Sequence, residues 1–209
     1  MRVLIFGASG GIGQHVRESA LSAGHELVLF ARDPAKLEPL RPGETVVEGE
    51  IEDGAHVTES VAGVDAVISV LGPSSNSADQ VALFESFALA LIGAMKTHGV
   101  KRLVTISGAA ASLPGESKSL SARIASATVR TLVPHVVRAK QRELDIIAGS
   151  DLDWIAPRPP RVTKGPPTGS YRVGDTARGF RISQGDLAHF MVAALTDDTY
   201  IRQAPFISS

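Results

Sequence analysis

The chain has 209 residues, 44% of them hydrophobic and 21% charged, with a formal net charge of −1 and no cysteine. That length buries one sizeable core, so a single domain over residues 1–209 is expected. The near-neutral charge leaves no electrostatic footprint for nucleic acid or a membrane surface. The missing cysteine excludes disulfides, thiolate metal sites and a cysteine nucleophile.

The first 32 residues are the most informative. Arg2-Val3-Leu4-Ile5-Phe6 is a short apolar run of the kind that makes a buried parallel strand. Gly7-Ala8-Ser9-Gly10-Gly11-Ile12-Gly13 follows, then a helical stretch to about Ala23, stopped by Gly24. Glu26 to Ala31 makes a second strand, and the next residue is Arg32. A dinucleotide needs this layout. Glycines let the backbone approach a pyrophosphate, and a helix N-terminus supplies free N–H groups and a positive dipole end. The spacing is Gly-x-x-Gly-x-x-Gly, so the flanking strands and helix carry the argument. Gly7, Ser9, Gly10, Gly11, Ile12 and Gly13 are the phosphate-binding candidates. The residue after the second strand meets the adenosine ribose, where an arginine suits a 2′-phosphate and so favours NADP(H). Asp33-Pro34 reads as a helix cap with proline at the first helical position, opening a turn from Pro34 to Leu40 on which Lys36 can also reach the phosphate.

Strands and helices keep alternating. Thr45 to Glu48 is a third strand, followed by Glu50 and Ile51 and a short helix to about Ala62. Ala66 to Val70 is a fourth, ending at Leu71-Gly72-Pro73. A polar loop from Ser74 to Asp79 leads into a long helix ending near His98-Gly99. Arg102 to Ile106 is a fifth strand and ends at Ser107-Gly108. Helices are expected from about Ser119 to Val133 and from Pro134 to Ala148. A sixth strand spans Leu152 to Ala156, a turn-rich segment runs from Pro157 to Gly179, and a helix from about Gly185 to Leu195 precedes a last apolar stretch, Ala204 to Ile207. Such repeats imply an α/β fold of the Rossmann type, a doubly wound, mostly parallel sheet with helices on both faces. Ligands then bind beyond the carboxyl ends of the strands. That rule selects the glycine loop, Arg32, Glu50-Ile51, Leu71-Gly72, Ser107-Gly108 and Pro157 to Arg161.

The six histidines show no pair at metal-ligand spacing, so no metal is expected. No apolar run is expected to reach membrane-spanning length. The first strand begins at residue 2, which leaves no room for a targeting peptide, and a cytoplasmic protein is the expectation.

This layout resembles the short-chain dehydrogenase/reductase superfamily over essentially the whole chain. Ordinary members carry a serine after the fifth strand and a Tyr-x-x-x-Lys pair on the next helix. Ser107 and Lys140 match the serine and the lysine, but Val136 stands where the tyrosine should be. That departure resembles the atypical, NmrA-like NAD(P)H-binding group, and within it the biliverdin IX beta reductase (flavin reductase) family. The matching phrases include Gly7-Ala8-Ser9-Gly10, Ala31-Arg32-Asp33, Gly63-Val64-Asp65-Ala66-Val67-Ile68, Pro159-Pro160, Thr168-Gly169-Ser170-Tyr171 and Asp186-Leu187-Ala188-His189-Phe190-Met191. The resemblance implies that Ser107 sits beside the nicotinamide and that Leu71, Gly72 and Pro159 line the cofactor. The family's histidine after Pro-Pro is replaced here by Arg161.

Without the phenol acid, alcohol dehydrogenation is disfavoured. Hydride transfer to a flavin, quinone or related planar acceptor survives, since water can protonate the product. Ser107 reads either as a group beside the nicotinamide or as a hydroxyl tying down the backbone at a strand end. Asp186 is expected to cap or pair near the last helix, and His189 to be structural. Lys118, Arg123, Arg130, Arg138, Lys140 and Arg142, with Arg158 and Arg161 at the neighbouring strand end, read either as a basic rim for an anionic acceptor or as solvated helix faces. For Arg161 the strand end favours function. The expected partner is a small-molecule acceptor, anionic if the rim is real, with no nucleic acid and no membrane. A non-catalytic NADP(H)-reading sensor is the competing reading. Oligomeric state has no signal in the sequence.

Overall fold

The computed structural model describes residues 1–116, 127–176 and 178–209. Six strands form one parallel sheet: β1 (Arg2–Phe6), β2 (Glu26–Ala31), β3 (Glu44–Glu48), β4 (Ala66–Ser69), β5 (Arg102–Thr105) and β6 (Asp153–Ile155). Their spatial order is β3-β2-β1-β4-β5-β6. Helices α1 (Gly11–Ser22), α2 (Gly54–Ser60), α3 (Ala78–Thr97) and α4 (Pro134–Ala148) run between strands, and α5 (Gln184–Ala193) follows the sheet. This is the expected doubly wound Rossmann architecture. The strand order turns back between β1 and β4, so a crevice opens there beyond the carboxyl ends, where the glycine turn leaves β1.

Side chains alternate across the sheet with period two. Val3, Ile5, Leu27 and Leu29 join one buried layer with Val16 and Ala20 of α1 and Leu187, Ala188 and Met191 of α5. Leu4, Phe6, Val28 and Phe30 join the other with Val57 of α2, Phe87, Leu91 and Met95 of α3, and Leu144 and Ile147 of α4. Because both faces are covered, the central strands β1, β2 and β4 read as near-continuous apolar runs, whereas the edge strand β3 keeps Glu44, Thr45 and Glu48. Phe6 anchors the second layer, its ring 4.9 Å from that of Phe30 and 5.0 Å from that of Phe87. Each such side chain contributes roughly 1.5–3 kcal/mol by leaving water.

The helix ends have local causes. After α1, Gly24 N–H donates to Leu21 C=O (2.9 Å) and His25 N–H to Ala20 C=O (3.0 Å), the paired bonds that satisfy a helix's last carbonyls. The start of α4 has Pro134 in its first turn and borrows its cap from a distance. Asn76 Oδ1, on the β4–α3 loop, accepts from His135 N–H (2.9 Å) and Val136 N–H (3.3 Å).

Several expectations are corrected. The turn from Pro34 is a 3-10 helix that ends at Leu37, not Leu40, because Glu38 precedes Pro39 and is forced into extended backbone. The turn-rich tail contains four short strands: β7 (Val162–Thr163) pairs in parallel with β9 (Ile182–Ser183), and β8 (Arg172–Gly174) pairs antiparallel with β10 (Phe206–Ser208). By length and composition α3 can cross a membrane, with 20 residues and a mean hydropathy of 1.4. Its Phe84, Phe87, Leu91 and Met95 are buried inside this fold. The helix expected from Ser119 lies outside the described residues as far as 126, as do Lys118 and Arg123, while residues 127–132 are helical. A buried ion pair that the sequence reading lacked joins α1 to β3. Arg17 Nη2 meets Glu44 Oε2 at 2.7 Å and also donates to Leu37 C=O.

Candidate active site

The glycine loop is built by contacts that side chains would prevent. Gly7 has φ +85°, a left-handed conformation, and lies against Val70 at the end of β4. A Cβ on Gly13 would fall 2.1 Å from Gly7 carbonyl oxygen and 2.7 Å from Ala8 Cα, so only glycine lets α1 pack this close to the loop. Gly10 is the helix N-cap. Its N–H donates to Gly7 C=O (3.1 Å) and its C=O accepts the first helical bond, from Gln14 N–H (2.9 Å). At φ −75° and ψ 167° it is extended, so positive φ belongs to Gly7 and not to Gly10. No side chain caps α1 and no acid stands in its first turn. The N–H groups of Gly11, Ile12 and Gly13 therefore point out of the helix start without a partner among the described residues. Ser9, Gly10 and Gly11 are exposed, Ile12 half-buried. An uncapped helix start behind exposed glycines fits a diphosphate.

Arg32 is exposed directly after β2, and its side chain makes no hydrogen bond or ion pair among the described residues. Gly49 N–H donates to Ala31 C=O (3.0 Å), which brings the Glu50-Ile51 turn beside it. Glu50 is exposed, with its N–H 3.4 Å from His56 Nδ1, and Ile51 packs on the second core layer. Asp33 caps its turn as expected, accepting from Ala35 N–H, and its other oxygen lies 3.5 Å from Lys36 Nζ. Both of those side chains are exposed, so the pair holds Lys36 only weakly.

On the other side of the crevice, Leu71 is half-buried and Gly72 exposed. Ser107 N–H donates to Pro157 C=O (3.0 Å) and Ala109 N–H to Pro159 C=O (3.2 Å), which fastens the end of β5 to the end of β6. Ser107 is buried, and its Oγ has no hydrogen-bond partner among the described residues. The reading in which its hydroxyl ties down the backbone is thus not what the fold shows. Ser69, at the end of β4, holds a second orphaned hydroxyl. Pro159 is buried and Arg161 exposed, its C=O accepting from Ile182 N–H (2.8 Å) and its guanidinium without a partner among the described residues.

Two of the basic residues are not on a solvent-facing rim. Lys140 is buried, ion-paired with Glu143, donating to Leu71 C=O at 3.2 Å and lying 5.1 Å from the centre of the Phe84 ring. It braces the Leu71 turn at the end of β4. Burial pushes the Glu143 carboxyl up from its ordinary value, against the pull of Lys140 and a hydrogen bond from Thr105 Oγ1. Arg158 is also buried. Its guanidinium forks onto Glu116 at 2.7 and 2.8 Å, reaches Ala111 and Ala204 carbonyls, and stacks 4.1 Å from the Phe206 ring centre, so it is a structural pin. Arg142 pairs with Glu85 on the outer helical face. Arg130 donates to Ala110 C=O, and Arg138 is exposed.

The tail phrases form a clamp. Asp186 is buried at the start of α5 and accepts from Thr168 N–H (2.6 Å), Thr168 Oγ1 (2.8 Å), Gly169 N–H (2.9 Å) and Ser183 Oγ (2.9 Å). Burial works to raise its pKa, but these donors outweigh it and hold the carboxyl below its usual value. Tyr171 Oη lies 2.8 Å from His189 Nδ1, and burial with the Asp186 charge pushes its phenol up. Gln184 was missed. A Cβ on Gly11 would stand 2.5 Å from its Nε2, so α5 touches the glycine loop. No local pattern announces that contact, because α1 and α5 are about 170 residues apart and meet only by packing.

Comparison with known proteins is consistent with this geometry. The model of a family described as NAD(P)H-binding matches residues 7–198. A phenylcoumaran benzylic ether reductase of Ginkgo biloba is 34% identical over 104 residues, 46% of this chain and 33% of that one. An isoflavone reductase homolog of Zea mays is 33% identical over 94 residues, 41% of this chain and 30% of that one. The matches thus span about a third of the length of these curated relatives. Among solved structures, an anaerobilin reductase from Escherichia coli O157:H7 superposes with a TM-score of 0.80 at 20% identity, covering 99% of this chain and 96% of that one. A Lactobacillus casei protein gives 0.83 at 24% identity, covering 100% and 99%. These structural likenesses establish the shared fold.

Proposed function

This chain belongs to the NAD(P)H-binding family, and from that premise we propose that it is an NADPH-dependent reductase that passes hydride to a flavin, quinone or related flat acceptor. The observation that carries this reading is Ser107, whose buried hydroxyl has no partner at the end of β5. An unpaired buried hydroxyl costs about 1–3 kcal/mol, and the carboxamide of a nicotinamide offers the partner it lacks. The N–H groups of Gly11, Ile12 and Gly13 would hold the diphosphate, and Arg32, with Lys36 beside it, the 2′-phosphate of NADPH. Leu71, Gly72 and Pro159 would line the nicotinamide half, with Lys140 holding the Leu71 carbonyl in place. Glu50 and Ile51 would flank the adenosine.

The reduced nicotinamide supplies the hydride, and the protein supplies orientation. No tyrosine stands where a proton would be handed over: Val136 occupies the usual position, and Tyr171 is engaged with His189. Water must then protonate the product, which suits flavins and quinones better than alcohols or ketones. The acceptor side supports an anionic molecule. Arg161 and Arg181 immediately precede the paired segments β7 and β9, and neither guanidinium has a partner among the described residues. Phe180, next to Arg181, is 93% exposed and offers a flat apolar face.

Steady-state kinetics test these assignments. Ser107→Ala should mainly lower the maximal rate, since its hydroxyl would serve the bound nicotinamide during transfer. Arg161→Ala should raise the half-saturating concentration of FMN more than that of an uncharged quinone, because it removes a charge contact made equally in ground and transition states. Equal effects on the two acceptors would remove Arg161 from the acceptor site.

A further inference from the structure

The amide of Gln184 lies over the glycine loop with nothing to do. A Cβ on Gly11 would stand 2.5 Å from its Nε2 and 3.1 Å from its Oε1. The side chain is half-buried, yet makes no hydrogen bond among the described residues. Capping α5 does not need it, because Ser183 Oγ already accepts from Asp186 N–H at 2.9 Å. The partnerless N–H groups that begin α1 and the two N–H bonds of a primary amide therefore lie beside the same residue, Gly11.

We propose that Gln184 donates to the diphosphate of the bound dinucleotide, completing from α5 a seat that α1 begins. The mounting is rigid. Gly185 N–H donates to Gly165 C=O (3.0 Å), and a Cβ on Gly185 would fall 2.1 Å from Pro167 N, so this turn is pressed onto the 165–167 backbone. Ser183 Oγ lies 2.9 Å from both Pro166 C=O and Asp186 Oδ2 and shares its one proton between them, and Asp186 gathers Thr168 and Gly169. With its backbone fixed on both sides, Gln184 loses little freedom when its amide takes a ligand. The same mounting ties the diphosphate to the segment that carries Arg161 and Tyr171, so cofactor and acceptor sides share one rigid body.

The inference rests on the NAD(P)H-binding reading and is independent of which acceptor is reduced. Calorimetric titration of the full chain with NADPH, NADP⁺ and 2′-AMP tests it. The last ligand keeps the 2′-phosphate for Arg32 and lacks the diphosphate. Gln184→Ala should weaken NADPH and NADP⁺ about tenfold, the effect of losing one hydrogen bond to a charged group, and leave 2′-AMP unchanged. Gln184→Glu should weaken the dinucleotides further by placing a carboxylate against the diphosphate. Both variants should unfold at the wild-type temperature. Unchanged NADPH affinity in Gln184→Ala overturns the assignment, as does an equal loss for 2′-AMP, which would mean that the residue shapes the whole site. A wild-type protein that binds no NADPH would instead remove the cofactor reading and this inference with it.

Discussion

Gly10 and Gly13 stand in the same loop, yet their backbones tolerate side chains very differently. At Gly13 a methyl group would overlap the Gly7 carbonyl, which is backbone and cannot step aside. Gly13→Ala should therefore destabilise the protein by about 3 kcal/mol or more, read as a lowered urea midpoint. Gly10 is extended, and a Cβ there meets only Gly7 oxygen, at 3.4 Å. Gly10→Val should keep a native circular dichroism spectrum and cost about 1 kcal/mol, as a poorer N-cap. NADPH affinity should nonetheless collapse, because a branched side chain then stands at the mouth of the phosphate seat. A folded Gly10→Val protein with normal affinity would place that seat elsewhere. Arg32, without a partner among the described residues, should give NADP(H) roughly a tenfold to hundredfold advantage over NAD(H). Arg32→Ala should erase that advantage in calorimetric titration while leaving NAD(H) binding intact.

At the scale of elements, α4 and α5 each carry one buried carboxylate, and the two are opposite in kind. Glu143 of α4 is pushed toward its neutral form by burial and kept in place by Lys140. Lys140→Met should leave that acid unpaired and cost about 3 kcal/mol, and adding Glu143→Gln should recover part of the loss in urea unfolding. Asp186 at the start of α5, like Glu44 of β3, has its pKa lowered in the fold from 3.8 and 4.5 respectively. A depressed carboxyl stabilises above its unfolded pKa and loses that contribution as pH falls through its folded one. Unfolding free energy should hence decline as pH drops below 4.5, and Asp186→Asn should flatten the decline. The strands of the sheet were legible because each carries a short apolar run flanked by polar or turn residues, and their ends fell within about two residues. The Ser183-x-x-Asp186 cap was open to the same reading. Strands β7 to β10 are two or three residues long, too short to show a period, and only β10 was foreshadowed, by the apolar stretch from Ala204 to Ile207. Lys140, Arg158 and Gln184 owe their positions to packing between distant segments, so counting charges along the chain put two of them on a rim and passed over the third.

For the whole molecule, one architecture unites two functions that the sequence reading held apart. The β1–α1 edge offers helix-start N–H groups that suit a dinucleotide, and the β5–β6 end offers a buried hydroxyl and an arginine, both without a partner among the described residues. A regulatory protein that only senses NADP(H) needs the first. A reductase of flat acceptors needs both. The direct measurement is NADPH oxidation by the purified protein across FMN, small quinones and a propionate-bearing tetrapyrrole, alongside calorimetric binding of NADPH. The account predicts tight NADPH binding together with turnover of at least one of these acceptors, with Ser107→Ala slower at saturation. Tight binding with no turnover of any of them would contradict it and leave the sensor in its place.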